Sequence, residues 1–125
     1  MHDPHRDTYS TTEAAKLAGT TYRNAEYWAR IGVLETAVPA RGVGSDRRWS
    51  YSDVSVLAAL VEMADTSVAL RRQVASRLRL VPANTEQFIL RISPTLSIFL
   101  NLGAIRQKLR DRQSAAAKLR SEART

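Results

Sequence analysis

The chain has 125 residues with 44% apolar content, and its 19 Lys and Arg exceed its 12 Asp and Glu to give a formal charge of +7. This length and apolar share indicate a core-forming domain rather than a disordered chain, and the absence of Cys excludes disulfides, thiolate metal sites and cysteine nucleophiles. The start, Met1–Asp7, is polar, and the most apolar window, 88–105, is interrupted by Arg91, Pro94 and Asn101. We therefore expect a cytoplasmic protein with neither a signal peptide nor a membrane span. The basic balance favours an anionic partner, nucleic acid first.

The positive charge is concentrated in the second half of the chain. Residues 1–65 hold seven basic and nine acidic residues, a net of −2, whereas residues 66–125 hold twelve and three, a net of +9. Such runs often only keep helix faces hydrated, but arginine also suits bidentate contact with phosphate. Both interpretations stay open here. Apart from Arg91, these twelve basic residues form two groups: Arg71, Arg72, Arg77 and Arg79, then Arg106, Lys108, Arg110, Arg112, Lys118, Arg120 and Arg124.

Two short helices joined by a glycine turn are predicted near the start of the chain. Ser10 and Glu13 have the spacing of a capping box, and the helix that they begin is expected to end at Gly19. Thr21 then supplies the cap for a second helix over about residues 22–31. Two such helices at a tight corner are typical of a helix-turn-helix.

A small β-hairpin, or wing, is predicted after these helices. Residues 38–49 alternate as strand, glycine-rich turn and strand. The segment 50–53 offers caps for a third helix, whose apolar stripe faces a core. A fourth helix over 67–80 is expected to end before Pro82.

The last forty residues predict a second hairpin and a long helix. Residues 87–92 and 96–102 are rich in Ile and Phe and flank a Ser-Pro turn, which favours two strands. In the helix that follows, apolar residues at alternating 3- and 4-residue spacing indicate a heptad seam, although an ordinary amphipathic helix would give a similar pattern. The seam comprises Leu102, Ile105, Leu109, Arg112, Ala116, Leu119 and Ala123.

Three motifs in this order resemble the DNA-binding domain of the MerR family. They are YSTTEAAKLAG at 9–19, EYWARIGVL at 26–34, and Arg-Arg-Trp at 47–49 ahead of Asp53. The resemblance covers residues 9–65 and implies a mainly α fold: a winged helix-turn-helix with a small hairpin wing, then a second short hairpin and a C-terminal dimerisation helix. We accordingly divide the chain into a flexible tail at 1–8, a DNA-binding domain at 9–81, and a dimerisation or effector segment at 84–125.

The resemblance also implies roles for individual residues. Arg23, Tyr27 and Arg30 on the second helix would reach the major groove or its rim, and Tyr22 would stack on sugar. In the wing, phosphates would be held by Arg41, Arg47 and Arg48. Dimerisation through the C-terminal helix would use Leu102, Ile105, Leu109 and Leu119.

The implied function is a transcriptional regulator that acts as a homodimer on double-stranded DNA and distorts a promoter for RNA polymerase. Trp28 is also similar to the corresponding residue of phage excisionases, so the alternative is an architectural protein that bends DNA at repeated sites. Glu26 departs from the Arg usual in the MerR family, and a carboxylate facing DNA repels phosphate. Trp28 and Trp49, which replace tyrosines, are expected in the core, and Arg48 has an ion pair with Asp46 or Asp53 as its alternative role.

No enzyme, cofactor or metal site is predicted. There is no glycine-rich phosphate loop and no nucleophile with a paired base. His2 and His5, with Asp3 and Asp7, lie in the segment expected to be a flexible tail. A small effector pocket lined by Phe88, Ile98 and Phe99 is conceivable, but these residues suit a core better, which favours a constitutive DNA-binding protein.

Overall fold

A computed structural model describes residues 8–38, 47–63 and 66–123. It confirms the mainly α fold with two small antiparallel sheets. No helix in these three ranges is long and apolar enough to cross a membrane. The elements are β1 (Thr8–Tyr9), α1 (Thr11–Ala18), α2 (Tyr22–Arg30), β2 (Trp49–Ser50), α3 (Tyr51–Val61), α4 (Val68–Leu78), β3 (Gln87–Ser93), β4 (Leu96–Asn101) and α5 (Leu102–Ala123).

The helix-turn-helix forms through the predicted caps. Ser10 Oγ accepts a hydrogen bond from the Glu13 amide (3.1 Å), and the Glu13 carboxylate accepts one from the Ser10 amide (2.9 Å). Gly19 has φ +83°, a left-handed conformation that glycine adopts without steric cost, and it ends α1. Thr21 Oγ1 then accepts from the Asn24 amide (3.1 Å) to start α2. These contacts fix the direction in which α2 leaves the turn.

The base of the wing is closed by main-chain hydrogen bonds between Val38 and Arg48, at 3.1 and 2.9 Å. We call the described residues on the two sides of the wing, 36–38 and 47–50, the wing root. The glycine-rich turn, with Arg41 and Asp46, lies outside the described residues. Thr8 was predicted to belong to a flexible tail but pairs with Ser50 in the β1–β2 sheet. The rest of that tail, with both histidines, also lies outside the described residues.

A buried tryptophan links the wing root to α1. Trp49 is fully buried, and its indole N–H donates to Thr11 Oγ1 (2.9 Å), which is also buried. Trp28 on α2 is buried as well, so the prediction that both tryptophans belong to the core is confirmed. The centre of the core is α3, where Val54, Leu57 and Leu60 have no exposed surface.

The second hairpin also forms as predicted. β3 and β4 pair antiparallel around the turn that contains Pro94. Because side chains alternate across a strand, Phe88, Leu90 and Leu100 are buried, whereas the directly opposed Ile89 and Phe99 are exposed. The hairpin therefore has one face in the core and one apolar pair in solvent.

The first half of α5 packs inside its own protomer, which differs from the predicted dimer seam. Leu102, Ile105 and Leu109 are 7%, 7% and 0% exposed and belong to the same hydrophobic cluster as α1 and α3. Of the four residues predicted to form the dimer interface, Leu119, at 66% exposure, is the one whose side chain is exposed. The core thus continues across the predicted boundary near residue 82, because α5 covers the helix-turn-helix rather than standing apart from it.

Polar contacts reinforce this packing. Arg112 donates to the Leu17 carbonyl at the end of α1 (2.9 Å), and Gln113 donates to the Tyr9 hydroxyl (2.9 Å). Arg112 also comes so close to Gly19 that a Cβ there would meet its guanidinium at 2.9 Å. The turn of the helix-turn-helix and α5 therefore fit against each other closely.

Candidate nucleic-acid interface

One face of α2 is open to solvent and carries four of the predicted contact residues. Ala25, Trp28 and Ala29 hold the opposite face in the core. The exposed face presents two aromatic and two cationic side chains on about two turns of one rigid helix, and Tyr22 and Tyr27 are 42% and 43% exposed. Such a row of donors can follow a groove of a nucleic acid. The four residues are Tyr22, Arg23, Tyr27 and Arg30.

The two arginines on this face keep N–H donors available for hydrogen bonds. The Arg30 guanidinium lies 5.8 Å from the centre of the Tyr27 ring, which orders it weakly and leaves its donors available. Arg23 has no hydrogen bond or ion pair among the described residues. Tyr27 itself is also exposed. The face is therefore cationic and available for contact with an anionic ligand.

Glu26, the acidic residue on the same helix, is neutralised by the wing root. The Arg47 Nε and Nη2 atoms donate to Glu26 Oε2 and Oε1 at 3.1 and 3.2 Å. Arg47 is only 8% exposed, and its Nη1 also approaches Thr36 Oγ1 at 3.4 Å. Arg47 was predicted to hold a phosphate, but in this structure it joins α2 to both sides of the wing root instead.

Arg48 is partly engaged within the protein. Its Nε and Nη2 donate to Thr8 Oγ1 and to the Thr8 carbonyl oxygen, both at 3.0 Å. The alternative ion pair with Asp53 does not form, because that carboxylate binds Arg79, and Asp46 lies outside the described residues. Arg48 is half-buried and keeps its Nη1 without a hydrogen bond among the described residues.

Asp53 holds the two sides of the wing root together. Its Oδ2 accepts from the Ala37 and Ser50 amides, both at 2.8 Å, and its Oδ1 lies 2.7 Å from Arg79 Nη2. The carboxylate is only 3% exposed, and a buried charge of this kind is stable when it is paired and hydrogen-bonded. The sequence indicated Asp53 as a helix cap and as an alternative ion-pair partner of Arg48, but not as the residue that joins the two sides of the wing root.

Three arginines of α4 and its end brace this site. Arg79 donates to the Glu35 carbonyl (2.7 Å), and Arg72 donates to the Ile31 and Gly32 carbonyls at 3.0 and 3.2 Å. Arg71 stacks over the Trp28 ring at 4.7 Å. Much of the first basic group therefore holds α2 and the segment after it in place, a role that charge counting did not indicate.

The basic residues of α5 are only partly free. Lys108 pairs with Glu62 (2.7 Å), Arg106 lies 3.7 Å from Glu86, and Arg112 binds the end of α1. Lys118 and Arg120 are exposed on the last turns of the helix. Across 8–38, 47–63 and 66–123, no three His, Asp or Glu side chains come together in a way that could hold a metal ion.

The chain is similar to helix-turn-helix regulatory proteins. The sequence model described as "MerR HTH family regulatory protein" matches residues 9–72, about half of the chain. Uncharacterized HTH-type transcriptional regulators of Mycobacterium bovis and Mycobacterium tuberculosis are each 36% identical over 63 residues. This stretch is 50% of the chain but only 28% of each relative. The similarity therefore covers α1, α2, the wing root and α3, whereas the relatives are much longer.

Proposed function

Because this chain belongs to the MerR family of helix-turn-helix regulatory proteins, we propose that it is a sequence-specific transcriptional regulator that binds double-stranded DNA. The observation that carries the proposal is the exposed face of α2, on which arginines and tyrosines stand beside a wing root that is held rigidly. Rigid placement matters because phosphate contacts set the register in which a few side chains can read base edges.

In the proposed complex, α2 lies in the major groove. Arg23 and Arg30 contact phosphates or guanine edges, and Tyr27 packs against the backbone at the rim. Tyr22, at the start of the helix, contacts sugar. Arg41 and the free edge of Arg48 hold phosphates beside the groove, whereas Arg47 acts through Glu26 by fixing the wing to α2. Neutralisation of Glu26 by Arg47 supports this arrangement, since an unpaired carboxylate here would repel DNA.

We further propose that the protein acts as a homodimer. Two copies related by a two-fold axis would place two α2 helices on successive half-sites of an inverted repeat. The proposed interface combines Leu119 on the projecting half of α5 with the exposed pair Ile89 and Phe99 of the hairpin. These three side chains are apolar and stand on elements other than α2, so dimerisation and DNA contact would not compete.

As in the family that the chain resembles, the dimer would distort its promoter so that RNA polymerase can bind. The test is a footprint of the purified full chain on genomic DNA fragments, followed by transcription from the bound promoter in a purified system. We expect one inverted repeat within a promoter and a change in transcript level.

Clustered direct repeats would instead favour the excisionase-like alternative, in which the protein bends DNA for a recombinase. Equal transcript levels with and without the protein would contradict promoter distortion. The role of α2 is tested with the double variant Arg23→Ala, Arg30→Ala. It removes the two cations from the exposed face of α2, and neither side chain belongs to the core. Duplex binding by this variant as tight as by the native chain would overturn the proposed role of α2.

A further inference from the structure

A cavity of about 250 Å³ lies where three parts of the chain meet, and no residue of α2 or of the wing root lines it. It is bounded by α3, by the segment that follows α4, and by the first turn of α5. An engineered apolar cavity of about 150 Å³ accommodates benzene, so this one has room for roughly ten non-hydrogen atoms. Its walls are mainly apolar: Val56, Ala59, Leu78, Val81, Pro82 and Ile105.

Two arginines, Arg79 and Arg106, are among the residues that line the cavity, and none of the described lining residues is acidic. Arg106 is the less engaged of the two. Its Nη2 donates to the Thr85 carbonyl (2.6 Å) and lies 3.7 Å from Glu86, whose side chain is 76% exposed and therefore neutralises it weakly. Its Nε and Nη1 have no hydrogen-bond partner among the described residues. A partly buried cation with two unused donors beside an apolar cavity is complementary to a carboxylate with an apolar tail.

We propose that this cavity binds a small amphipathic carboxylate, with the carboxylate on Arg106 and the apolar tail between α3 and α5. The second arginine of the lining, Arg79, connects the cavity to the wing root. Arg79 donates to the Glu35 carbonyl and pairs with Asp53, which holds both sides of the wing root. Ligand in the cavity therefore contacts a residue that positions the wing. The binding site itself does not depend on the proposed DNA function.

The test is a titration of the ¹⁵N-labelled full chain with octanoate, which has ten non-hydrogen atoms, and separately with 1-octanol. We expect saturable shifts of the amide signals of Val56, Ala59 and Ile105 with octanoate, accompanied by shifts at Glu35 and Asp53. Octanol of the same chain length should bind at least tenfold more weakly, because it lacks the charge that Arg106 pairs with. Equal affinity for the two probes, or no saturable shifts at these signals, would overturn the proposal.

Two variants and one control variant locate the site. Arg106→Gln should weaken octanoate binding at least tenfold and leave octanol binding unchanged. Arg110→Gln should change neither, because Arg110 lies on the same helix outside the cavity lining and donates to Gln107 Oε1 (2.7 Å). Ala83→Phe fills the cavity from its exposed rim and should abolish binding of both probes without disturbing the core. Unaltered octanoate binding by either Arg106→Gln or Ala83→Phe, at an unchanged melting temperature, would place the ligand elsewhere and refute the assignment. DNA affinity measured without octanoate tests the proposed function separately.

Discussion

Glu26 on α2 and Arg47 at the wing root form a two-bond ion pair, with nitrogen–oxygen distances of 3.1 and 3.2 Å, across the surface proposed to face DNA. The pair explains how a carboxylate is tolerated on this helix. It also favours a positioning role for Arg47, which fixes the wing root against α2, over the predicted contact with phosphate.

Breaking the pair from one side should destabilise the protein. The side chains of Arg47 and Glu26 are only 9% and 20% exposed, so Glu26→Ala takes the ionic partner from a largely buried cation. We expect the free energy of unfolding to fall by about 2–4 kcal/mol, measured by urea denaturation. The double variant Glu26→Ala, Arg47→Met should recover most of this loss, since neither charge then remains buried. A loss below about 0.5 kcal/mol for Glu26→Ala would show that the pair is screened like a surface salt bridge.

The salt dependence of DNA binding should separate contact residues from positioning residues. Each lost phosphate contact makes the slope of log K against log salt shallower by about 0.9. Arg23→Ala with Arg30→Ala should therefore change the slope by up to about 2 units, read by fluorescence anisotropy. Arg47→Ala should lower affinity with an unchanged slope, because its guanidinium faces Glu26 rather than solvent.

The control for charge alone is Lys118→Ala with Arg120→Ala, which removes two positive charges from the exposed end of α5. Its slope should equal that of the native chain. A shallower slope for this control would mean that the basic C-terminal helix follows phosphates, and a shallower slope for Arg47→Ala would restore that residue as a phosphate ligand.

The hydrogen bond between Trp49 and Thr11 should have a measurable effect on stability. Thr11→Val has nearly the same shape but leaves the buried indole N–H without an acceptor, which costs about 1–3 kcal/mol. Thr12→Val makes the same change at the next, exposed position of α1 and should cost less than about 0.5 kcal/mol. Equal unfolding midpoints for the two variants in urea would contradict the assigned role of this bond.

Two leucines of α5, Leu109 in its first half and Leu119 near its end, should separate folding from association. Leu109→Ala removes a fully buried side chain and should lower the free energy of unfolding by about 2–5 kcal/mol. Leu119→Glu alters a side chain that is 66% exposed, so it should leave monomer stability within about 0.5 kcal/mol but weaken the dimer. Sedimentation velocity at several concentrations measures the second effect. Association unchanged by Leu119→Glu would remove the end of α5 from the proposed interface.

Much of the local structure could be predicted from the sequence because it depends on neighbours within a few residues. A hydroxyl three positions before a backbone amide, as at Ser10, Thr21 and Ser50, satisfies the free amides of a helix start wherever the helix later packs. Gly19 ends α1 and Pro94 interrupts the strands for equally local reasons. The exposed face of α2 follows from its 3.6-residue period.

The tertiary structure alone decided which charged and apolar side chains remain available. Arg47 and Glu26 are 21 residues apart, and Arg79 reaches Asp53 from α4, so no local pattern assigns these pairs. The same holds for Leu109, whose spacing fits a dimer seam equally well until α5 folds back onto the core of its own protomer. Spacing determines which side chains share a face, whereas long-range packing determines what covers that face. The sequence by itself therefore determined the helix-turn-helix and its exposed residues. The tertiary structure decided that several arginines hold α2 and the wing root in place instead of remaining free in solvent.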